Sequence, residues 1–115
     1  MPRFLCLYKS AAPEGTSPSP EEQEKMGALI VEWTQAGVLL SAEGCMPSSF
    51  GMRIRQDKGK VTATDGPFTE AKEVVGGFAI IQAATKAEAT EWIKKFLAVA
   101  GDGESEVRQL WEQPS

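Results

Sequence analysis

Asp65, Glu43, Arg53, Lys72 and Tyr8 are the residues whose types could carry chemistry in this chain. There is no histidine anywhere in it. The usual general base, the usual metal ligand and the familiar nucleophilic triads are therefore missing together. Acid–base work then falls to carboxylates, with Asp65 and Glu43 as candidates for moving a proton. Such a carboxylate is a useful base near neutral pH only if burial or a like charge raises its pKa. Arg53 can hold an anionic group through its planar fork of donors, and Lys72 and Tyr8 can orient a ligand. Cys6 and Cys45 are too few and too far apart for a zinc site or a disulfide scaffold, and both read as small buried hydrophobes. Gly76-Gly77 lacks the spacing and the following helix of a phosphate loop. No cofactor and no metal are expected.

Asp65 opens the turn Asp65-Gly66-Pro67-Phe68-Thr69-Glu70. Gly66 can take backbone angles that other residues avoid, and Pro67 fixes φ while withholding an N–H. A proline also keeps the preceding residue out of helical geometry, so Asp65 is held at a strand end. Its structural use is to accept backbone N–H groups and close the turn; its functional use is to present a carboxylate to a ligand. Both stay open.

The elements that must position these residues follow from periodicity. Arg3 to Lys9 is apolar on both parities, which suits a central strand covered on both faces. A loop rich in Pro, Gly, Ser and Thr over 11–18 leads to a helix start, where Ser19 caps, Pro20 fits the first turn and Glu22 completes a capping box. Met26, Leu29, Ile30 and Trp33 recur at helical spacing, and Gly37 stops the helix. Val38 to Glu43 reads as a strand with Leu39, Ser41 and Glu43 on one face. After a loop over 44–51, Met52-Arg53-Ile54-Arg55 and Lys60 to Thr64 alternate around Asp57-Lys58-Gly59, a hairpin with Arg53 and Arg55 together on its polar side. Thr69 to Glu73 is a brief charged segment, and Val74 to Gln82 is a second buried strand with Gly76-Gly77 as a bulge or close backbone approach. Thr85 to Glu88 is another capping box, followed by an apolar stripe of Ala89, Trp92, Ile93 and Phe96. Gly101 and Gly103 end that helix, and Glu104 to Glu112 reads as the last strand. Trp33, Trp92 and Trp111 read as core or interface anchors, and Met26 and Met52 as packing.

The order strand, helix, strand, hairpin, strand, helix, strand predicts an α+β chain: a ferredoxin-like split β-α-β unit with an inserted β-hairpin and both helices on one sheet face. Residues 1–115 make one domain. The opposite face carries apolar residues too. Burying a large side chain is worth about 1.5–3 kcal/mol, so a second copy of the chain is the simplest cover. A hydrophobic content of 42% argues against disorder, and a net charge of −4 with no basic stripe argues against nucleic-acid binding. No apolar run approaches the roughly 20 residues that span a bilayer, and Met1-Pro2-Arg3 leads straight into strand pattern instead of a signal peptide. A cytoplasmic location is expected.

Asp65-Gly66-Pro67-Phe68, then Thr69-Glu70-Ala71-Lys72-Glu73 and Gly76-Gly77-Phe78, closely resembles the DGPF-domain proteins, a branch of the YCII-related family. Ala42-Glu43-Gly44, Arg53, Gly59-Lys60-Val61 and Glu106-Val107-Arg108 extend the likeness over most of the chain. The resemblance implies a dimeric α/β barrel, two sheets facing one another around a cleft. Some YCII-related proteins use a histidine and aspartate pair, which this chain cannot supply. The family's genomic company implies a sensing or accessory role beside an extracytoplasmic-function sigma factor.

Two functions follow. One is a homodimer binding a small polar or anionic molecule in its cleft, with a sigma factor as a partner. The other is a cofactor-independent lyase, dehydrohalogenase or isomerase in which Asp65 or Glu43 moves a proton while Arg53, Lys72 and Tyr8 hold the substrate. A plainer alternative is that these charges only pair and hold the hairpin in place.

Overall fold

The computed structural model describes residues 1–68 and 74–112. The elements run β1 (Arg3–Ser10), α1 (Pro20–Gln35), β2 (Leu39–Gly44), a 3-10 turn (Ser48–Phe50), β3 (Met52–Asp57), β4 (Lys60–Asp65), β5 (Gly77–Gln82), α2 (Lys86–Ala100) and β6 (Gly103–Gln109). The charged segment 69–73, and Lys72 with it, lies outside the described residues.

Both helices begin where their sequence signals stand. The Ser19 hydroxyl accepts the Glu22 N–H at 3.1 Å, and Pro20 occupies the first turn without costing a donor. The Thr85 hydroxyl does the same for Glu88 at 3.1 Å. Acidic residues in each first turn meet the positive end of the helix dipole. Gly37, at φ +73°, turns the chain out of α1.

Strands β2, β5, β1 and β6 form one antiparallel sheet in that order, so β1 and β5 are central. This is an α+β arrangement compatible with a ferredoxin-like fold. Register then decides the faces. Phe4 lies opposite Ile81, and Cys6 lies between Ala79 and Val107. Those residues point toward the helices, where Leu29 and Trp33 of α1 and Ala89 and Ile93 of α2 complete the core. Trp33 and Trp92 meet edge-on, with centroids 5.6 Å apart. The alternate residues Leu5, Leu7, Phe78 and Ile80 pair with one another on the opposite face, to which neither helix packs.

Four local expectations are corrected. The pairing of β2 with β5 slips between Leu39 and Ser41, and this bulge puts Leu39 against the core with Ala42 while Ser41 and Glu43 share the open face. Regular β5 begins at Gly77, although the Gly76 N–H still donates to the Tyr8 carbonyl at 2.7 Å and its carbonyl accepts from the Cys45 N–H at 2.9 Å. Cys45 is exposed, unlike buried Cys6, because it lies one residue past the end of β2. Met52 and Trp111 are 62% and 92% exposed, so neither anchors this core.

The β3–β4 ribbon pairs only with itself, from Met52 opposite Asp65 to Asp57 opposite Lys60. Every residue in both strands is exposed. Arg53 and Arg55 share one side with Thr64 and Thr62, and Met52, Ile54, Val61 and Ala63 share the other. With the ribbon standing off the sheet, the radius of gyration is 16.0 Å, against about 13 Å for a compact domain of this length.

Candidate functional site

A cavity of about 320 Å³ opens between the helix pair and the sheet. Small residues on the strands leave this space: Cys6 on β1, Ala42 and Gly44 on β2, Gly77 and Ala79 on β5. A Cβ on Gly77 would lie 3.0 Å from the Glu43 carbonyl, so β2 would have to give by a few tenths of an ångström to admit a side chain there. From the helices come Met26, Leu29, Trp33, Ile93 and Phe96. Burial pushes the Cys6 thiol up to about 11, so this wall is neutral across the physiological range.

Tyr8 stands at the rim, its ring edge-on to Phe96 with centroids 5.1 Å apart. Its hydroxyl reaches the carbonyls of Ala100, Gly101 and Asp102 only at 3.3 to 3.5 Å. Good O–H···O bonds are nearer 2.7–2.8 Å, so these contacts hold the phenol weakly. Beyond the rim a wide groove continues outward, sharing Tyr8, Met26, Ile30, Gly44, Gly76 and Phe96 with the cavity. The loop between β1 and α1 forms its outer wall.

A second constellation surrounds the turn at Asp65. The Gly66 N–H donates to the Gly51 carbonyl at 3.0 Å, and the Phe68 N–H donates to the Ser48 hydroxyl at 3.0 Å. Ser48 is only 6% exposed. Its hydroxyl donates to one Glu14 carboxylate oxygen at 2.6 Å and its N–H to the other at 2.7 Å. The hydroxyl bond, then the N–H bond, holds the Glu14 carboxyl below its ordinary value. One serine thus joins three segments: the β1–α1 loop, the 3-10 turn and the turn after β4. A Cβ on Gly66 would overlap the Ser48 carbonyl, which leaves room for glycine alone.

The five residues singled out from the sequence are distributed as follows. Tyr8 lines the cavity. The backbone of Glu43 borders it too, but strand alternation turns the Glu43 side chain to the open face, beside Phe78. Arg53 lies over the Phe68 ring at 4.0 Å, a cation–π contact on the ribbon's polar side. Asp65 ends β4 exposed, and among the described residues no hydrogen bond reaches its carboxylate. The turn is closed instead by backbone and Ser48. Lys72 is outside the described residues. Sequence reasoning did not single out Glu14 and Ser48. They lie 34 positions apart, each in a stretch that reads as ordinary loop, and no local spacing signals their meeting. Among the described residues no group of His, Cys, Asp and Glu is arranged to hold a metal ion, and no helix is long and apolar enough to cross a membrane.

The chain matches the model of the YCII-related domain over residues 3–113. It is also similar to an uncharacterised protein, R00369, of Rhizobium meliloti (strain 1021), with 31% identity over 97 residues covering 80% of this chain and 78% of that protein. A match over nearly the whole length includes both helices, the four-stranded sheet, the ribbon and the Asp65 turn, and this chain belongs to the YCII-related family.

Proposed function

We propose that this protein binds a small, largely apolar or aromatic molecule in the cavity between the helices and the sheet, with the ligand's polar end at Tyr8. The cavity itself carries this reading. About 320 Å³ of mostly apolar space lies beside a core of few buried residues, and ligand pockets commonly span about 300–1,000 Å³. Tyr8 adds a hydroxyl with only long partners at the mouth. A polar or anionic ligand group fits that rim, while the walls favour a flat hydrocarbon body.

The same proposal includes a homodimer. Leu5, Leu7, Phe78 and Ile80 make an apolar stripe on the open sheet face. The ribbon adds Ile54 and Val61, 67% and 60% exposed. An isolated two-stranded hairpin is marginal in water, so the ribbon needs something to pack on. A second copy offers a matching stripe by symmetry and would bring the open faces and their Glu43 side chains together. Catalysis by Asp65 and Glu43 is the weaker reading, since the Glu43 side chain is on the open face and Asp65, at the end of the ribbon, is not among the residues that line the cavity. A sigma factor as the recipient of the binding signal would be found by co-purification in the presence and absence of ligand.

The test is a screen of small aromatic acids, phenols and amines by tryptophan fluorescence and ligand-observed NMR, repeated on Ala79→Phe. Ala79 is paired with Cys6 on the sheet wall of the cavity, and a phenyl ring projecting from there would fill the space. Hits are expected to bind wild type and to lose at least tenfold in affinity on the variant, with the circular dichroism spectrum retained. Equal binding to both proteins would remove the cavity as the site.

A further inference from the structure

The groove outside the cavity is walled by the β1–α1 loop, and that loop is held to the rest of the fold in an uneven way. Its backbone is tied at the start, where the Ala11 N–H donates to the Asp102 carbonyl at 3.0 Å. Further along, Ala12 bonds to Ser10 and Thr16 to Pro13, contacts that stay within the loop and the adjoining strand end. The tie across the groove is Glu14, whose two carboxylate oxygens take both donors of Ser48 at 2.6 and 2.7 Å. Ser48 is a firm post. It is buried, it sits in the 3-10 turn, and it is fixed from the other side by the Phe68 N–H.

We propose that the Glu14–Ser48 contact is a latch that holds the β1–α1 loop across the mouth of the cavity, so that entry and exit of the ligand require its release. This regulation rests on the cavity being the ligand site. The geometry suits a reversible latch better than a permanent staple. Glu14 is exposed while Ser48 is buried, so water can replace the donors on the carboxylate side each time the loop lifts. The loop buries no apolar side chain of its own, since 11–18 are all exposed, and its other ties are at its two ends, where the Ala11 N–H donates to the Asp102 carbonyl and the Gln23 amide donates to the Pro18 carbonyl at 3.2 Å. The groove and the cavity share their rim residues, so lifting the loop widens the path to Tyr8 and on to Cys6.

Cys6 gives a readout that needs no ligand. In a Cys45→Ser background the buried Cys6 thiol on the cavity wall is the remaining cysteine, and the small neutral disulfide 4,4′-dithiodipyridine reports its accessibility by absorbance. Glu14→Ala releases the loop while leaving Ser48 its bond from Phe68. Losing a pair of charge-assisted hydrogen bonds, discounted for exposure, is expected to speed Cys6 modification about fivefold or more. Thr85→Ala, which removes the cap of α2 away from the loop, controls for general loosening. The latch is supported if Glu14→Ala accelerates labelling more than Thr85→Ala does at equal or smaller loss of urea stability. It is overturned if Glu14→Ala labels at the wild-type rate, or if the two variants accelerate labelling in proportion to lost stability. A protein that shows the latch in this assay but binds nothing in the aromatic screen keeps the gate and loses the proposed ligand, so the two failures are separable.

Discussion

Replacing Gly66 by alanine tests how the turn after β4 is built. An added Cβ would overlap the Ser48 carbonyl, and backbone cannot swing aside as a flexible side chain can. Relief requires moving either the turn at 66–68 or the 3-10 turn. The bonds at risk are Gly66 N–H to the Gly51 carbonyl at 3.0 Å and Phe68 N–H to the Ser48 hydroxyl at 3.0 Å. At about 1 kcal/mol for each of the two bonds, plus about 1–3 kcal/mol for overpacking, Gly66→Ala is expected to lose about 3–5 kcal/mol. Asp65→Ala is the paired control. Its carboxylate is exposed and accepts nothing from the described residues, so the change is expected to stay within about 0.5 kcal/mol. Both are read by urea unfolding, followed by tryptophan fluorescence, at one protein concentration with assembly state checked by light scattering. A Gly66→Ala protein as stable as wild type would refute the close approach. An Asp65→Ala protein losing 1 kcal/mol or more would show that the carboxylate closes the turn after all.

Ile54→Glu places a charge on the apolar side of the ribbon and, if the proposed homodimer forms there, is expected to convert it to monomer in light scattering with α-helical circular dichroism kept; an unchanged mass means this side is not the interface. Ile81→Ala empties a fully buried position on β5 and is expected to cost about 2–5 kcal/mol in urea unfolding; a loss under 1 kcal/mol would mean the core collapses around it. Acid should loosen the β1–α1 loop. Glu14 is held below its ordinary value of 4.5, so its contribution is present above that pH and is lost as pH falls through the lower, folded value; protease cleavage within 11–18 should accelerate in that range and not in Glu14→Ala. Alkali acts on Cys6 with the opposite sign. The unfolded thiol gives up its proton near 9.0 while the folded one keeps it to about 11, so stability falls as pH rises through this interval, and Cys6→Val should flatten that part of the profile.

Much of the architecture was legible because local signals and the fold agreed. Ser19-Pro20 and Thr85 start helices where caps and first-turn residues say they should, and the unbroken apolar runs at 4–8 and 77–81 become the two central strands. Alternation also sorted Arg53 and Arg55 to one side of the ribbon. Where the reading missed, a tertiary contact had overridden a local pattern. Strict alternation put Leu39 with Glu43, but one slip in the pairing with β5 moved Leu39 to the core. Asp beside Gly-Pro left a turn-closing and a ligand-facing carboxylate both open, and the acceptor for the Phe68 N–H in that turn is a serine two segments away.

The candidate site divides along the same line. Tyr8 was found from its residue type, yet nothing local indicated that small residues on β1, β2 and β5 would coincide to leave a cavity beside it. Glu14 and Ser48 carry no pattern at all, because a bond between residues 34 apart depends on where two loops arrive in space. Sequence by itself determined the elements, their order and their apolar faces, since these follow from backbone preferences and periodicity over a few residues. Tertiary structure alone decided the empty volume and the partners at its mouth, because packing gaps and long-range hydrogen bonds are set by the register and docking of whole elements.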